Sequence, residues 1–132
     1  MIEMVMMKLG DFNFMLSTAA YQRFRRITEY RWPAQERLGR EPARQFVGKG
    51  NDKIDLDGVI YPEFKGGLKQ VERMRDIAGK GNALRLMTYS SRKGENWGRW
   101  CIEQIEETQE VFFWDGVPRK IEFHLSLSKY GE

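Results

Sequence analysis

One cysteine and one histidine in 132 residues leave this chain few ways to do chemistry. The lone thiol, Cys101, closes no internal disulfide, builds no cysteine-based metal site and fits a reducing compartment at synthesis. Long hydrophobic runs are missing too. Met1 to Leu16 is methionine-rich and apolar, but Glu3, Lys8, Gly10, Asp11 and Asn13 interrupt it, so it is too short and too polar for a membrane span. It lacks the basic start of a signal peptide, and the protein is expected to stay where it is made. Nor is there a large excess of charge of one sign. A net +3 with 31% charged residues describes a soluble protein, not one that coats nucleic acid, although the basic pI keeps that class in view. Internal repeats and low-complexity tracts are absent.

What is present suffices for one core. The 41% hydrophobic content and the length predict a single domain spanning residues 1–132. The clearest segment is the last third, where Phe112-Phe113-Trp114 meets Asp115-Gly116 and is followed by Ile121, Phe123, Leu125 and Leu127 at period two. An Asp-Gly pair suits the positive φ angles of a tight hairpin turn, and period two places the four apolar residues on one strand face. Lys120, Glu122, His124, Ser126 and Ser128 then share the other.

Strand signals recur along the chain. Met7 to Gly10 and Phe12 to Leu16 read as two short strands joined at Gly10-Asp11, and Arg25 to Trp32 as a strand ended by Pro33. The polar run from Ala34 to Arg44 reads as a long mobile loop. Gln45 to Val47 is a short extended piece, and Gly48 to Asp52 a turn. Ile54, Leu56, Gly58 and Ile60 then alternate with Asp55, Asp57 and Val59 in a strand stopped by Pro62. Only Leu68, Val71, Met74 or Arg75 and Ile77-Ala78 have helical spacing, opened by Gly66-Gly67 and closed by Gly79 and Gly81. Strands resume at Ala83 to Tyr89 and Trp97 to Thr108 across a polar loop, Ser90 to Asn96. Trp100 and Ile102 differ in parity from Ile105, which predicts a bulge near Glu103-Gln104. The fold class expected is α+β: a mainly antiparallel β-sandwich or open barrel of about six or seven strands with one covering helix.

Catalytic and metal-binding readings fare poorly. Asp52, Asp55, Asp57, Gly58 and Glu63 have the composition of a calcium loop but not its spacing. Gly48-Lys49-Gly50 and Gly79-Lys80-Gly81 lack the phosphate-loop pattern. His124 has Glu122 and Ser126 beside it on one strand face, without evident convergence on a reacting group. Cys101, between Trp100 and Ile102, reads as a buried or half-buried thiol. No catalytic residue, cofactor or metal site is expected.

Charge distribution is more telling than its sum. Between residues 23 and 44 stand seven arginines, Arg23, Arg25, Arg26, Arg31, Arg37, Arg40 and Arg44, against Glu29, Glu36 and Glu41. Tyr21, Phe24, Tyr30 and Trp32 are interleaved. Residues 103–110 carry Glu103, Glu106, Glu107 and Glu110 and no cation. A basic and an acidic patch on one chain can bind copies head to tail and close a ring. These residues, with Trp32, are the candidate protein interface. Trp97 is a further candidate contact, and the segment Ala34 to Pro42 a reaching arm. The alternative is a small nucleic-acid-binding domain using the Arg/aromatic-rich segment 21–46; the acidic stretch disfavours it.

In order and spacing, several segments resemble one family. They are Gly10-Asp11-Phe12-Asn13-Phe14, Tyr21-Gln22, Glu29-Tyr30-Arg31-Trp32, Gly39 to Phe46, Gly48 to Asp52, Leu56 to Glu63, Gly66-Gly67, Trp100 and Phe112 to Phe123. The chain resembles, over nearly its whole length, the GpU family of tail proteins from contractile-tailed bacteriophages, prophages and phage-tail-like particles. The resemblance implies a non-enzymatic structural protein required for tail assembly. It implies a homo-oligomeric ring at the tail tube and baseplate, near the hub and tape-measure proteins. The setting is the virion tail, and the host bacterial cytoplasm during assembly. Membrane partners are not expected.

Overall fold

A computed structural model of the chain describes residues 5–15, 20–61, 69–90 and 93–131. In chain order its elements are β1 (Val5–Leu9), β2 (Phe12–Met15), β3 (Ala20–Arg31), β4 (Ala34–Arg37), β5 (Arg40–Arg44), β6 (Gly48–Ile60), α1 (Gln70–Gly79), β7 (Leu84–Ser90), β8 (Lys93–Phe112) and β9 (Pro118–Lys129). Seven strands form one sheet in the order β2-β1-β7-β8-β9-β6-β3, with antiparallel neighbours throughout. The two edge strands are consecutive in sequence and meet: the rings of Phe14 on β2 and Tyr21 on β3 lie 6.4 Å apart, edge to face. The sheet has curled into an open barrel, as expected, and α1 covers it against β8 and β2.

The interior is one apolar cluster. Ile54, Leu56 and Ile60 from β6 meet Ile121, Phe123, Leu125 and Leu127 from β9, with Phe12, Phe14, Leu86 and Trp100 around them. Period two explains the strand contributions, because alternate side chains take opposite faces. Each such burial stabilises by about 1.5–3 kcal/mol. The helix adds Val71 and Met74, three apart on one face. Its end is closed by Lys80 and Gly81, whose N–H groups bond the carbonyls of Ile77 and Ala78. The expected stop at Pro62 and start at Gly66-Gly67 and Leu68 lie outside the described residues.

Several boundaries differ from the sequence reading. Residues 34–44 are not a mobile loop but a two-stranded hairpin, β4–β5, with Ala34 opposite Arg44 and Arg37 opposite Arg40. Nearly every side chain on it is exposed, so no apolar alternation could announce it. Gly39, at φ +70°, supplies the left-handed residue the turn demands. Gly48 to Asp52 is not a turn but the first part of β6, paired with β3. Gln45 to Val47 lies between β5 and β6; the N–H groups of Gln45 and Val47 bond the carbonyls of Pro33 and Arg31. β3 also starts earlier than Arg25, at Ala20. Together β3–β4 and β5–β6 make one long ribbon whose tip stands clear of the barrel.

The loop expected between Ser90 and Asn96 is shorter, since Lys93 to Asn96 belong to β8 and Ser90 pairs with Lys93. The predicted bulge is present between Ile102 and Gln104. At the β8–β9 turn only Gly116 takes positive φ, +87°, while Asp115 does not. The turn is a wider one in which Phe113 accepts a bond from Gly116 at 3.0 Å and donates one to Val117 at 2.8 Å. A type I turn followed by a left-handed glycine produces this form.

Candidate subunit-contact surfaces

Strand parity divides the arginine-rich segment in two. On β3, Arg23 stands opposite Asp57 and Arg25 opposite Asp55, on the outside of the barrel. Phe24, Arg26 and Thr28 take the other face, opposite Leu56, Ile54 and Asp52. Arg26 is therefore not an open cation. Its Nε and a terminal nitrogen donate to the two oxygens of Asp52 at 3.0 and 2.6 Å, and Thr28 donates to the same carboxylate at 3.1 Å. The guanidinium lies 5.4 Å from the ring centre of Trp97 and 5.9 Å from that of Trp100. Hydrogen bonding from Arg26 holds the Asp52 carboxyl below its ordinary pKa, against the opposing pull of burial.

The remaining arginines stay on the surface. Arg31 ends β3, and Arg37, Arg40 and Arg44 line the β4–β5 arm. Arg37 donates to the carbonyl of Glu41, stiffening the arm's tip. At the arm's root Trp32 packs on Phe46 with ring centres 4.9 Å apart, both half exposed. Trp97 differs from Trp32: its Nε1 donates to Thr88 at 2.8 Å and its ring packs on Phe24, so it belongs to the barrel end and not to an open contact face.

The acidic stretch is divided in the same way. Glu107 faces α1, where Arg75 approaches it at 2.8 Å. Glu106 and Glu110 face outward, opposite His124 and Lys120 of β9, and Glu103 sits exposed at the bulge. Arg23, Asp57, His124 and Glu106 therefore form one row across four adjacent strands.

Within that row the structure brings together groups that looked dispersed in sequence. His124 Nδ1 contacts Asp57, and its Nε2 lies 3.4 Å from Ser126 Oγ and 3.5 Å from Asp55. An acid, an imidazole and a hydroxyl in this order have the outline of a nucleophilic triad. Here a carboxylate faces each ring nitrogen, which favours the doubly protonated imidazolium. The Asp57 hydrogen bond, then the charges of Asp57, Asp55 and Glu106, raise the pKa of His124 against burial. The contacts make an ion-paired network on the outer wall, in which Ser126 Oγ also donates to Asp55 at 3.4 Å. Among the described residues no group of three or more His, Cys, Asp or Glu is placed to hold a metal.

Residues not anticipated from sequence are the exposed apolar ones at the two tips. Val111, Phe112, Phe113 and Trp114 are all solvent-exposed, with Trp114 97% exposed, and Leu38 protrudes wholly at the arm's end. Val111 has φ +53°, a strained state for a β-branched residue, at the point where pairing with β9 skips from Glu110 to Phe112. The signal was in the sequence. A run of four bulky residues directly beside a turn has no interior to enter. A monomer gains nothing by wetting such a cluster, and clusters of this kind mark interfaces.

Residues 10–132 match the family model described as Phage P2 GpU. The chain belongs to that family. It is a structural protein of phage tails. A "Probable tape measure protein" of Halomonas phage phiHAP-1 is 25% identical to this GpU-family chain over 126 residues, covering 94% of this chain. The match spans only 14% of that protein's length. Among solved structures, a chain in the tail of an empty gene transfer agent particle, refined with C6 symmetry, shares the fold at 15% identity. Its TM-score is 0.56, covering 97% of this chain and 92% of that one. A chain from the virion of a native gene transfer agent particle gives a TM-score of 0.57 at the same identity and coverage. At this identity the likeness is one of fold.

Proposed function

We propose that this chain is a non-enzymatic, ring-forming subunit at the phage tail tube and baseplate, assembled in the host bacterial cytoplasm. The observation that carries the reading is the β4–β5 arm, a hairpin exposed on both faces that has no core of its own. An isolated two-stranded hairpin is marginally stable in water, so such an arm is built to lie on a neighbour. In this reading Arg31, Trp32, Arg37, Arg40 and Arg44 of one copy reach the outward acids Glu103, Glu106 and Glu110 of the next. Arg23 and Arg25 extend the basic side. Arg26 and Glu107 are committed within the subunit and support the contact only indirectly. The C6 symmetry of the related particle's tail makes six copies the expected ring order. Tail tube, baseplate hub and tape-measure proteins are the expected neighbours.

Electron microscopy of the purified protein tests this. Rings should form with wild type, disappear with Arg31→Glu plus Arg40→Glu, and return when that variant is mixed with Glu106→Arg plus Glu110→Arg. Intact rings from the arginine variant alone would overturn the charge pairing.

A further inference from the structure

We propose that each copy seats the aromatic root of its projecting arm on the exposed aromatic tip of the next copy's β8–β9 hairpin, with the arm lying along the outer face of β8. This contact rests on the ring-subunit reading and adds to it a register and a direction.

The two aromatic patches cannot meet within one copy. Arg31 of β3 pairs with Gly48 at the arm end of β6, whereas Ile60 at the far end pairs with Ile121, close to the β8–β9 turn. Between them β6 runs 13 residues, about 40 Å at the rise of a strand. Trp32 and Phe46 are half exposed at one end of the barrel, and Phe112 and Trp114 are exposed at the other. Arg119 lies over Phe113, 5.0 Å from its ring centre, but leaves Trp114 open to solvent. Two apolar patches at opposite ends of one molecule suit a head-to-tail contact between copies, which closes into a ring when the rotation allows. Aromatic side chains are the usual anchors of such contacts.

Spacing and charge agree once the aromatics are brought together. The backbone bonds from Gln45 to Pro33 and from Val47 to Arg31 carry the ribbon's pairing through its root, so Trp32 stands opposite Phe46 and Ala34 opposite Arg44 on one face. On β8, Phe112, Glu110, Thr108 and Glu106 share the outer face, because side chains two apart point the same way. With Trp32 over Phe112, Arg44 meets Glu110 about 7 Å further along. Glu36 then falls opposite the uncharged Thr108. Arg37 and Arg40, paired near the arm's end, come within side-chain reach of Glu106, about 20 Å from Phe112. Lys120, the cation across from Glu110, is drawn to Glu122 at 3.2 Å. Complementary charge at these steps selects a second copy, in this direction, as the occupant.

Complementation between two variants of the full chain tests this by analytical ultracentrifugation. Trp32→Asp loses the arm's root but keeps the tip, and Trp114→Asp loses the tip but keeps the arm. Each alone should stay monomeric at a concentration where wild type forms rings, and an equimolar mixture should give one-to-one dimers and nothing larger. Adding Arg44→Glu to the arm donor should weaken the dimer at least tenfold, and Glu110→Arg in the receiving copy should restore it. A mixture that stays monomeric overturns the proposal, as does a charge swap that restores nothing. Normal rings from Trp114→Asp would also overturn it and assign the tip to a different tail protein. If thermal unfolding shows Trp32→Asp to be misfolded, Arg37→Glu plus Arg40→Glu at the exposed end of the arm serves as the arm-deficient partner. Wild type that never self-associates would instead sink the ring-subunit reading itself, whereas wild-type rings without complementation sink only this contact.

Discussion

Arg26 and Asp52, 26 residues apart in sequence, form a two-pronged ion pair across β3 and β6, with 4% of the Asp52 side chain exposed. The pair closes one end of the barrel over Trp97 and Trp100. Its neighbour Arg25 points outward, opposite Asp55. Adjacent arginines with indistinguishable sequence surroundings therefore have opposite roles.

That difference is measurable. Arg26→Ala leaves a buried carboxylate without its main partner and uncovers two indoles, and should cost about 2–3 kcal/mol in urea unfolding. Arg25→Ala should stay within about 0.5 kcal/mol. Equal costs at the two positions would contradict the assigned faces.

Two of the perturbed acid–base groups, Asp52 and His124, predict opposite pH dependences. Asp52 is lowered from 3.8, so the stability gap between wild type and Asp52→Asn is full above that pH. It closes as pH falls through the lower folded-state value. His124 is raised from 6.5, so the gap between wild type and His124→Gln is full below pH 6.5. It closes as pH rises through the higher folded-state value. Urea midpoints from pH 3 to 9 would show both, and a His124 gap that grows with pH would refute the imidazolium assignment.

Leu125 is fully buried between β6 and β8, opposite Leu56 and Ile105. Leu125→Ala should cost about 2–5 kcal/mol, as cavity-forming substitutions do. A loss below 1 kcal/mol by chemical denaturation would mean that the barrel interior is not packed as described.

The exposed tips should behave in the opposite way. Trp114→Asp and Leu38→Asp should leave thermal unfolding of the subunit unchanged to within about 0.5 kcal/mol. Both should impair assembly seen by light scattering. Variants that unfold early, or that assemble normally, would remove these residues from the contact surface.

Much of the barrel was legible because alternation reports burial. Ile54 to Ile60 and Ile121 to Leu127 are both strands with the apolar face as read, although Val59, which alternation places with Asp55 and Asp57 on the wet side, is buried. The bulge after Ile102 was visible for the same reason, as a break in parity. The β4–β5 arm was not legible, since a ribbon exposed on both faces carries no apolar rhythm.

Alone, the sequence determined most of the barrel strands, the helix over residues 70–79, the poverty of reactive groups and the clustering of opposite charges. Tertiary structure decided which charges remain available. Sequence neighbours on a strand point to opposite sides, and only the partners brought across by β6, β9 and α1 reveal that Arg26 and Glu107 are spent internally while Arg25 and Glu106 face outward.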